Sequence, residues 1–261
     1  MLTTHFALPN ECGKHILYTY IRKNACSSFK RHMDFRVIDK TGGGLAKYKE
    51  FKIDAKNYNW REFDVRIFVY RDPVDRVISA FVNKFVEGRG ASDIIEKTLT
   101  AGSAGLKEFT FEDFCKHIIA AHDFRSLDPH LWPQAAHLLD VEYTHQIPIG
   151  RLYEQMSEIL APGSAEAFCT RVNASGGSGQ RFDGDLSAAT VEEIQDLMAD
   201  GKRLSKGNFR TSSLVEALEA RYEQDFAMIK RIEEGSRARP TSAWGATSFP
   251  RETRTSAQNR R

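Results

Sequence analysis

Tyr20-Ile-Arg-Lys-Asn-Ala-Cys-Ser-Ser-Phe-Lys-Arg31 and Phe68-Val-Tyr-Arg-Asp-Pro-Val-Asp-Arg-Val-Ile-Ser-Ala-Phe81 share one pattern. In each, an apolar run meets a turn that carries a cation, and a helical pattern with a hydroxyl follows. The first run, His15 to Ile21, is apolar, β-branched and aromatic, which reads as a buried strand. Ser27 or Ser28 is suited to cap the helix that Phe29 to Met33 begins. The turn from Arg22 to Cys26 therefore sits at a helix N-terminus, where free N–H groups and the helix dipole attract anions. Lys23 adds a full charge, the two serines add donors, and small Ala25 and Cys26 let a ligand approach the backbone.

The second run, Arg66 to Tyr70, reads as another buried strand. Asp72 is a cap residue, and Pro73 suits the first helical turn, where its missing N–H is not needed. Val77, Ile78, Phe81, Val82 and Phe85 form a stripe at spacings of three and four, predicting a helix from about Val74 to Glu87. Arg71 has the fork geometry to grip a phosphate. On spacing alone, Ser79 reads as a small residue packed against the sheet. Two such units side by side make a pocket for two anionic groups.

Together the segments resemble the sulfotransferases that use 3′-phosphoadenosine 5′-phosphosulfate, in particular the carbohydrate branch, family 2. That branch has a 5′-phosphosulfate loop of the form K-x-A-C/S-S/T-S-F/W, matched by Lys23-Asn-Ala-Cys-Ser-Ser-Phe29. Its 3′-phosphate segment, R-D-P-x-x-R-x-x-S-A, is matched by Arg71 to Ala80. Asp128-Pro-His-Leu-Trp-Pro-Gln134 is similar to the family's D-x-H-x-x-P-Q stretch, and Ile147 to Glu154, Arg171 to Ser175 and Leu214 to Ile229 are weaker echoes. The likeness spans roughly residues 14 to 230, with only the first two motifs specific. Animal Golgi members have His and Trp adjacent and an N-terminal anchor. Here Leu131 intervenes, and no such anchor is read.

The resemblance implies an α/β fold, a three-layer sandwich with a central parallel sheet of the P-loop nucleotide-binding-like kind. It implies sulfuryl transfer from 3′-phosphoadenosine 5′-phosphosulfate to a hydroxyl, expected on a saccharide or glycan. Lys23 is expected at the leaving oxygen. Asn24, Ala25, Cys26, Ser27, Ser28 and Phe29 are expected around the 5′-phosphate, and Arg71 and Ser79 at the 3′-phosphate. No metal is expected, because fixed cations and dipoles perform that work. His130 is the expected general base, since histidine titrates near neutrality, with Asp128 and Glu154 as substitutes. Trp132 reads as a sugar-stacking residue or as core. The basic connector Lys202 to Gly207 reads as a solvated loop rather than as a cover over the nucleotide.

Composition limits the alternatives. The 261 residues suit one α/β domain with a full core. The net charge is +2, but from Gly235 onward there are six arginines and one acid. That tail carries +5 and leaves residues 1–234 at −3, so nucleic-acid binding is not expected and the anion sites must be local. The division expected is a catalytic domain over 1–234 and a basic, disordered tail over 235–261. Cys12, Cys26, Cys115 and Cys169 form no metal pattern, no signal peptide is read, and no run of about 18 apolar residues occurs, so a cytoplasmic chain with reduced thiols is expected. Two other classes compete. One is a nucleotide-dependent phosphotransferase on a related scaffold, against which the missing G-x-x-x-x-G-K-[ST] loop counts. The other is a non-catalytic module binding nucleotide or polyanion. Strands separated by helices argue for a sheet covered on both faces.

Overall fold

The computed structural model describes residues 3–9, 13–37, 44–54, 58–90, 92–99, 105–169 and 179–238. The first half of the chain holds β1 (Thr4–Leu8), β2 (Ile16–Tyr20), α1 (Cys26–Asp34), β3 (Lys52–Ile53), β4 (Val65–Tyr70), α2 (Pro73–Phe81), α3 (Ser92–Leu99) and α4 (Phe111–Ala120). The second half holds β5 (His145–Pro148), α5 (Leu152–Ile159), α6 (Glu166–Cys169), β6 (Gln180–Arg181), α7 (Val191–Ala199), β7 (Lys202–Arg203), α8 (Ser212–Arg221) and α9 (Glu223–Ala238). The stretch Arg171 to Ser175, Cys12 and residues 239–261 of the basic tail lie outside the described residues. Helix α9 runs unbroken past 234, the boundary expected from composition.

The five-stranded sheet has the order β3-β1-β2-β4-β5. Strands β2, β4 and β5 are parallel, with Ile16 opposite Val65 and Ile67 opposite His145. The expectation of a parallel sheet needs correction, because β1 runs antiparallel to both β2 and β3. The chain between β1 and β2 is shorter than the dozen or so residues a parallel crossover needs, so an antiparallel pair is what it permits.

Strand β4 shows how the sheet is covered. Val65, Ile67 and Val69 join Phe29, Met33 and Met156 on one face, beneath α1 and α5. Phe68 and Tyr70 alternate to the other face and pack with Met228 of α9. Every residue of β2 is buried, as a central strand covered on both faces requires. A second core, formed between helices, gathers Phe81, Phe85, Phe111, Phe114 and Phe209.

Three local expectations change. The helix expected through Glu87 is regular only to Phe81 and continues as a π turn, Val82–Val86. The sequence predicts one long amphipathic helix from Leu214 to Arg231, but the chain breaks at Tyr222 (φ −106°, ψ 26°). The break has a physical cause. It lets the buried Tyr222 hydroxyl donate to the Leu131 carbonyl at 2.6 Å, while Asp225 accepts from the N–H groups of Gln134 and Ala135. Gln180–Arg181, in a glycine-rich stretch that the sequence predicts to be a surface loop, and Lys202–Arg203 of the connector pair as the parallel strands β6 and β7.

Candidate active site

The turn after β2 is tighter than the sequence suggests. Lys23 and Ala25 both take positive φ, 68° and 59°, with Asn24 at negative φ between them. Such alternation of hand turns backbone N–H groups toward one side and makes a cradle for anions. For residues with a Cβ it costs about 1–3 kcal/mol each, so the surroundings must hold it. They do so from several sides. The Asn24 side chain donates to the Val69 carbonyl at 2.8 Å and to Gln134 Oε1 at 2.6 Å. Arg71 donates to the Lys23 carbonyl at 3.2 Å, and Arg76 Nε donates to the Arg22 carbonyl at 3.0 Å. Phe29 stacks on Tyr18, with ring centroids 3.6 Å apart and planes 7° apart.

One expectation about this turn is corrected. Neither Ser27 nor Ser28 caps α1. Ala25 occupies the cap position in the left-handed region, and the serines fall in the first turn. The Asn24 and Phe29 side chains are fully buried, engaged as above, and do not line the cavity. In the second unit Asp72 caps α2, accepting from Asp75 N–H at 2.7 Å, and Pro73 opens the helix as expected.

The two units border one cavity of about 630 Å³. Lys23, Ala25, Cys26, Ser27 and Ser28 line it, together with Arg71, Ser79 and His130. Its volume lies within the range of ligand sites for molecules of nucleotide size. Its charge is one-sided. Arg22, Lys23, Lys30, Arg71, Lys84, Arg89 and Lys206 line it, and among the described residues no carboxylate does. Burial, then the charges of Lys84 and Arg71, push the Lys23 ammonium down to about 8 against the opposing influence of Cys26 and Glu87. Burial and the charge of Arg71 likewise lower Lys206, which is paired with Asp75 at 2.6 Å. Cations that depress one another in this way are relieved by an anion among them.

His130 is tied to the cavity wall by Asp128, whose Oδ1 lies 2.5 Å from Nδ1 and also accepts the His130 backbone N–H at 2.8 Å. Burial opposes ionisation of Asp128, but the hydrogen bonds from His130 hold its carboxyl below the usual range. Burial pushes His130 down to about 4; Asp128 opposes the shift, and Arg22 and Lys84 add to it. The imidazole is therefore neutral at pH 7, with Nδ1–H donated to the carboxylate and Nε2 left as an acceptor. Glu154, a substitute base, pairs with Arg151 and is exposed, and Trp132 donates to the Leu127 carbonyl at 3.0 Å without lining the cavity.

Several residues at the site had no role from sequence. Gln134 accepts from both Asn24 and the Arg71 N–H and donates to the Arg71 carbonyl, tying the two units together. Arg76 is fully buried and spans from Arg22 to the Trp132 carbonyl, which it reaches at 2.7 Å. Both occupy defined positions in the quoted motifs, and that was the available signal. Leu204, Ser205 and Lys206 of the basic connector line the cavity, correcting the solvated-loop reading. Asn83 and Lys84, brought in by the π turn, had no sequence signal.

The model of the sulfotransferase family matches residues 11–229, covering both units, the cavity and the start of α9. No curated protein and no solved structure matched the chain.

Proposed function

This chain belongs to the sulfotransferase family, and we propose that it moves a sulfuryl group from 3′-phosphoadenosine 5′-phosphosulfate to a hydroxyl of a saccharide or glycan. The observation that carries the donor assignment is the cavity between the two units, lined among the described residues by seven cations and no carboxylate. The saccharide assignment rests on the resemblance to the carbohydrate branch.

In this reading the first turn of α1, from Ala25 to Ser28, holds the 5′-phosphate. Arg71 and Ser79 hold the 3′-phosphate, and Lys206, close enough to Arg71 to feel its charge, joins them. Lys23 meets the oxygen bridging phosphorus and sulfur. As the acceptor oxygen bonds to sulfur, the bridging S–O bond breaks and its electron pair stays on the phosphate, leaving 3′,5′-ADP. Charge builds on that oxygen, and a fixed ammonium stabilises it more than it stabilises the ground state. His130 Nε2 takes the acceptor's proton, with Asp128 fixing the ring and supporting the imidazolium. A low proton affinity in the empty cavity suits a base whose partners are cations. Donor phosphates offset Arg22 and Lys84 and so raise the proton affinity of His130.

The test is transfer from sulfur-labelled donor to a panel of neutral and acidic oligosaccharides, read by mass spectrometry as an added sulfate. Label on a saccharide is expected. Label confined to non-sugar hydroxyl compounds would overturn the saccharide assignment, and ATP-dependent phosphorylation in its place would overturn sulfuryl transfer from this donor.

A further inference from the structure

The π turn Val82–Val86 closes with the Glu87 N–H on the Val82 carbonyl at 2.8 Å and the Arg89 N–H on the Asn83 carbonyl at 3.0 Å. Wide turns of this kind are rare and concentrate at functional sites. This one keeps all five of its residues buried and brings Asn83 and Lys84 to the cavity. The Asn83 amide then sits between two opposite charges. Its Oδ1 accepts from Lys23 Nζ at 2.9 Å, and its Nδ2 donates to Glu87 Oε2 at 3.1 Å, an oxygen that Arg89 Nε also faces at 3.4 Å. The charges fix which end faces which, because the reverse orientation sets NH₂ against an ammonium and oxygen against a carboxylate. Lys84 is held separately, on the carbonyls of Arg89 and Gly90 at 2.7 and 2.8 Å.

We propose that Asn83 is a positioning residue for Lys23. It relays the Glu87 carboxylate to the ammonium, fixing where Nζ sits in the cavity and keeping it charged beside Arg71 and Lys84. The groups that act on Lys23 come from three elements: Cys26 from α1, Arg71 from the turn after β4, and Lys84 and Glu87 from the π turn and its end. Of these, Arg71 and Lys84 disfavour the charged form, while Cys26 and Glu87 favour it. An amide suits the relay because it accepts from one side and donates to the other, and it adds no charge to compete with the donor's phosphates. The mechanistic part rests on the reading of Lys23 as the group at the leaving oxygen. The link between Asn83 and the Lys23 charge does not.

The experiment is an NMR titration of the full chain carrying ¹³C-labelled lysine, with Lys23→Arg identifying the Lys23 signal. Asn83→Leu keeps the branched shape and removes both hydrogen bonds. It is expected to lower the Lys23 midpoint from about 8 by about one unit. Glu87→Gln keeps the shape and removes the charge, is expected to shift the midpoint the same way, and carries the test if Asn83→Leu does not fold. In transfer assays Asn83→Leu is expected to reduce kcat roughly tenfold with the acceptor KM unchanged. An unchanged Lys23 midpoint in the folded variants overturns the proposal. The titration needs neither donor nor acceptor, so that failure is distinct from the absence of sulfuryl transfer by the wild-type protein, which would overturn the functional reading instead.

Discussion

Arg76 Nε donates to the backbone carbonyl of Arg22 at 3.0 Å, so the helix of the second unit holds the turn of the first. The same guanidinium reaches the Trp132 carbonyl at 2.7 Å and lies fully buried, with Asp225 near enough to favour its charge. A buried cation serving two carbonyls in this way is a structural clamp. Arg76→Leu removes the donors and leaves buried acceptors unmet. It should lower unfolding free energy by about 3 kcal/mol, because bonds to charged groups contribute about 1.5–3 kcal/mol each. Chemical denaturation checks this, and a loss under about 1 kcal/mol would show that the clamp contributes little.

Arg71 is the expected 3′-phosphate ligand, and its place in the cavity with Ser79 supports that role. Arg71→Ala should weaken 3′,5′-ADP binding by roughly one to two orders of magnitude, as loss of a charge-assisted pair does. Binding of 5′-AMP, which lacks the 3′-phosphate, should change little. Equal losses for both nucleotides would remove Arg71 from that role.

The pH dependence of nucleotide binding follows from Lys23. Its ammonium loses its proton near 8 in the empty cavity. A bound anion stabilises the charged form and so raises that value. Below about pH 8 both states carry the proton and affinity is flat. Above it the free protein has lost the proton that the complex keeps, so affinity falls, by up to tenfold per pH unit for one proton. Calorimetry from pH 6.5 to 9.5 reads this directly, and Lys23→Arg, with its higher proton affinity, should flatten the upper limb. A limb that persists unchanged in Lys23→Arg would assign it to another group.

His130 and Asp128 separate by the measurements they affect. His130→Ala should leave 3′,5′-ADP affinity within about threefold and reduce turnover by about two orders of magnitude, the typical contribution of a general base. Asp128→Asn keeps the size but weakens the hold on Nδ1–H, so it should lower kcat while sparing acceptor KM. Unchanged turnover in His130→Ala would pass the proton-accepting role to another group.

Much of this site is legible because its chemistry is local. Strand, turn and helix follow one another within a few residues, and apolar runs, Pro73 and Asp72 mark the boundaries. The neighbouring parallel strands β2 and β4 then bring Lys23 and Arg71 to one cavity without further instruction. The features that escaped depend on distant partners. Ala25 takes the left-handed cap position because Asn24, Arg71 and Arg76 hold the turn from outside, whereas cap propensity favours Ser27 or Ser28. Phe29 belongs to the motif and looks ligand-facing, but Tyr18 of the preceding strand β2 claims its ring. The break at Tyr222 answers to Leu131 and Gln134, which no periodicity within the helix records. Hydrogen-bond register likewise decides the π turn, and the apolar stripe through Phe85 reads the same for a regular helix.

The two anion sites are tested most directly by titrating the purified full chain with 3′,5′-ADP, without added metal, against 5′-ADP as the control. The two ligands carry the same number of phosphates and differ in where one of them sits. A preference for 3′,5′-ADP of about a hundredfold or more, lost in Arg71→Ala, is the expected result. Equal affinities, or binding that appears only with magnesium, would contradict a 3′-phosphate pocket and, with it, the assignment of 3′-phosphoadenosine 5′-phosphosulfate as the donor.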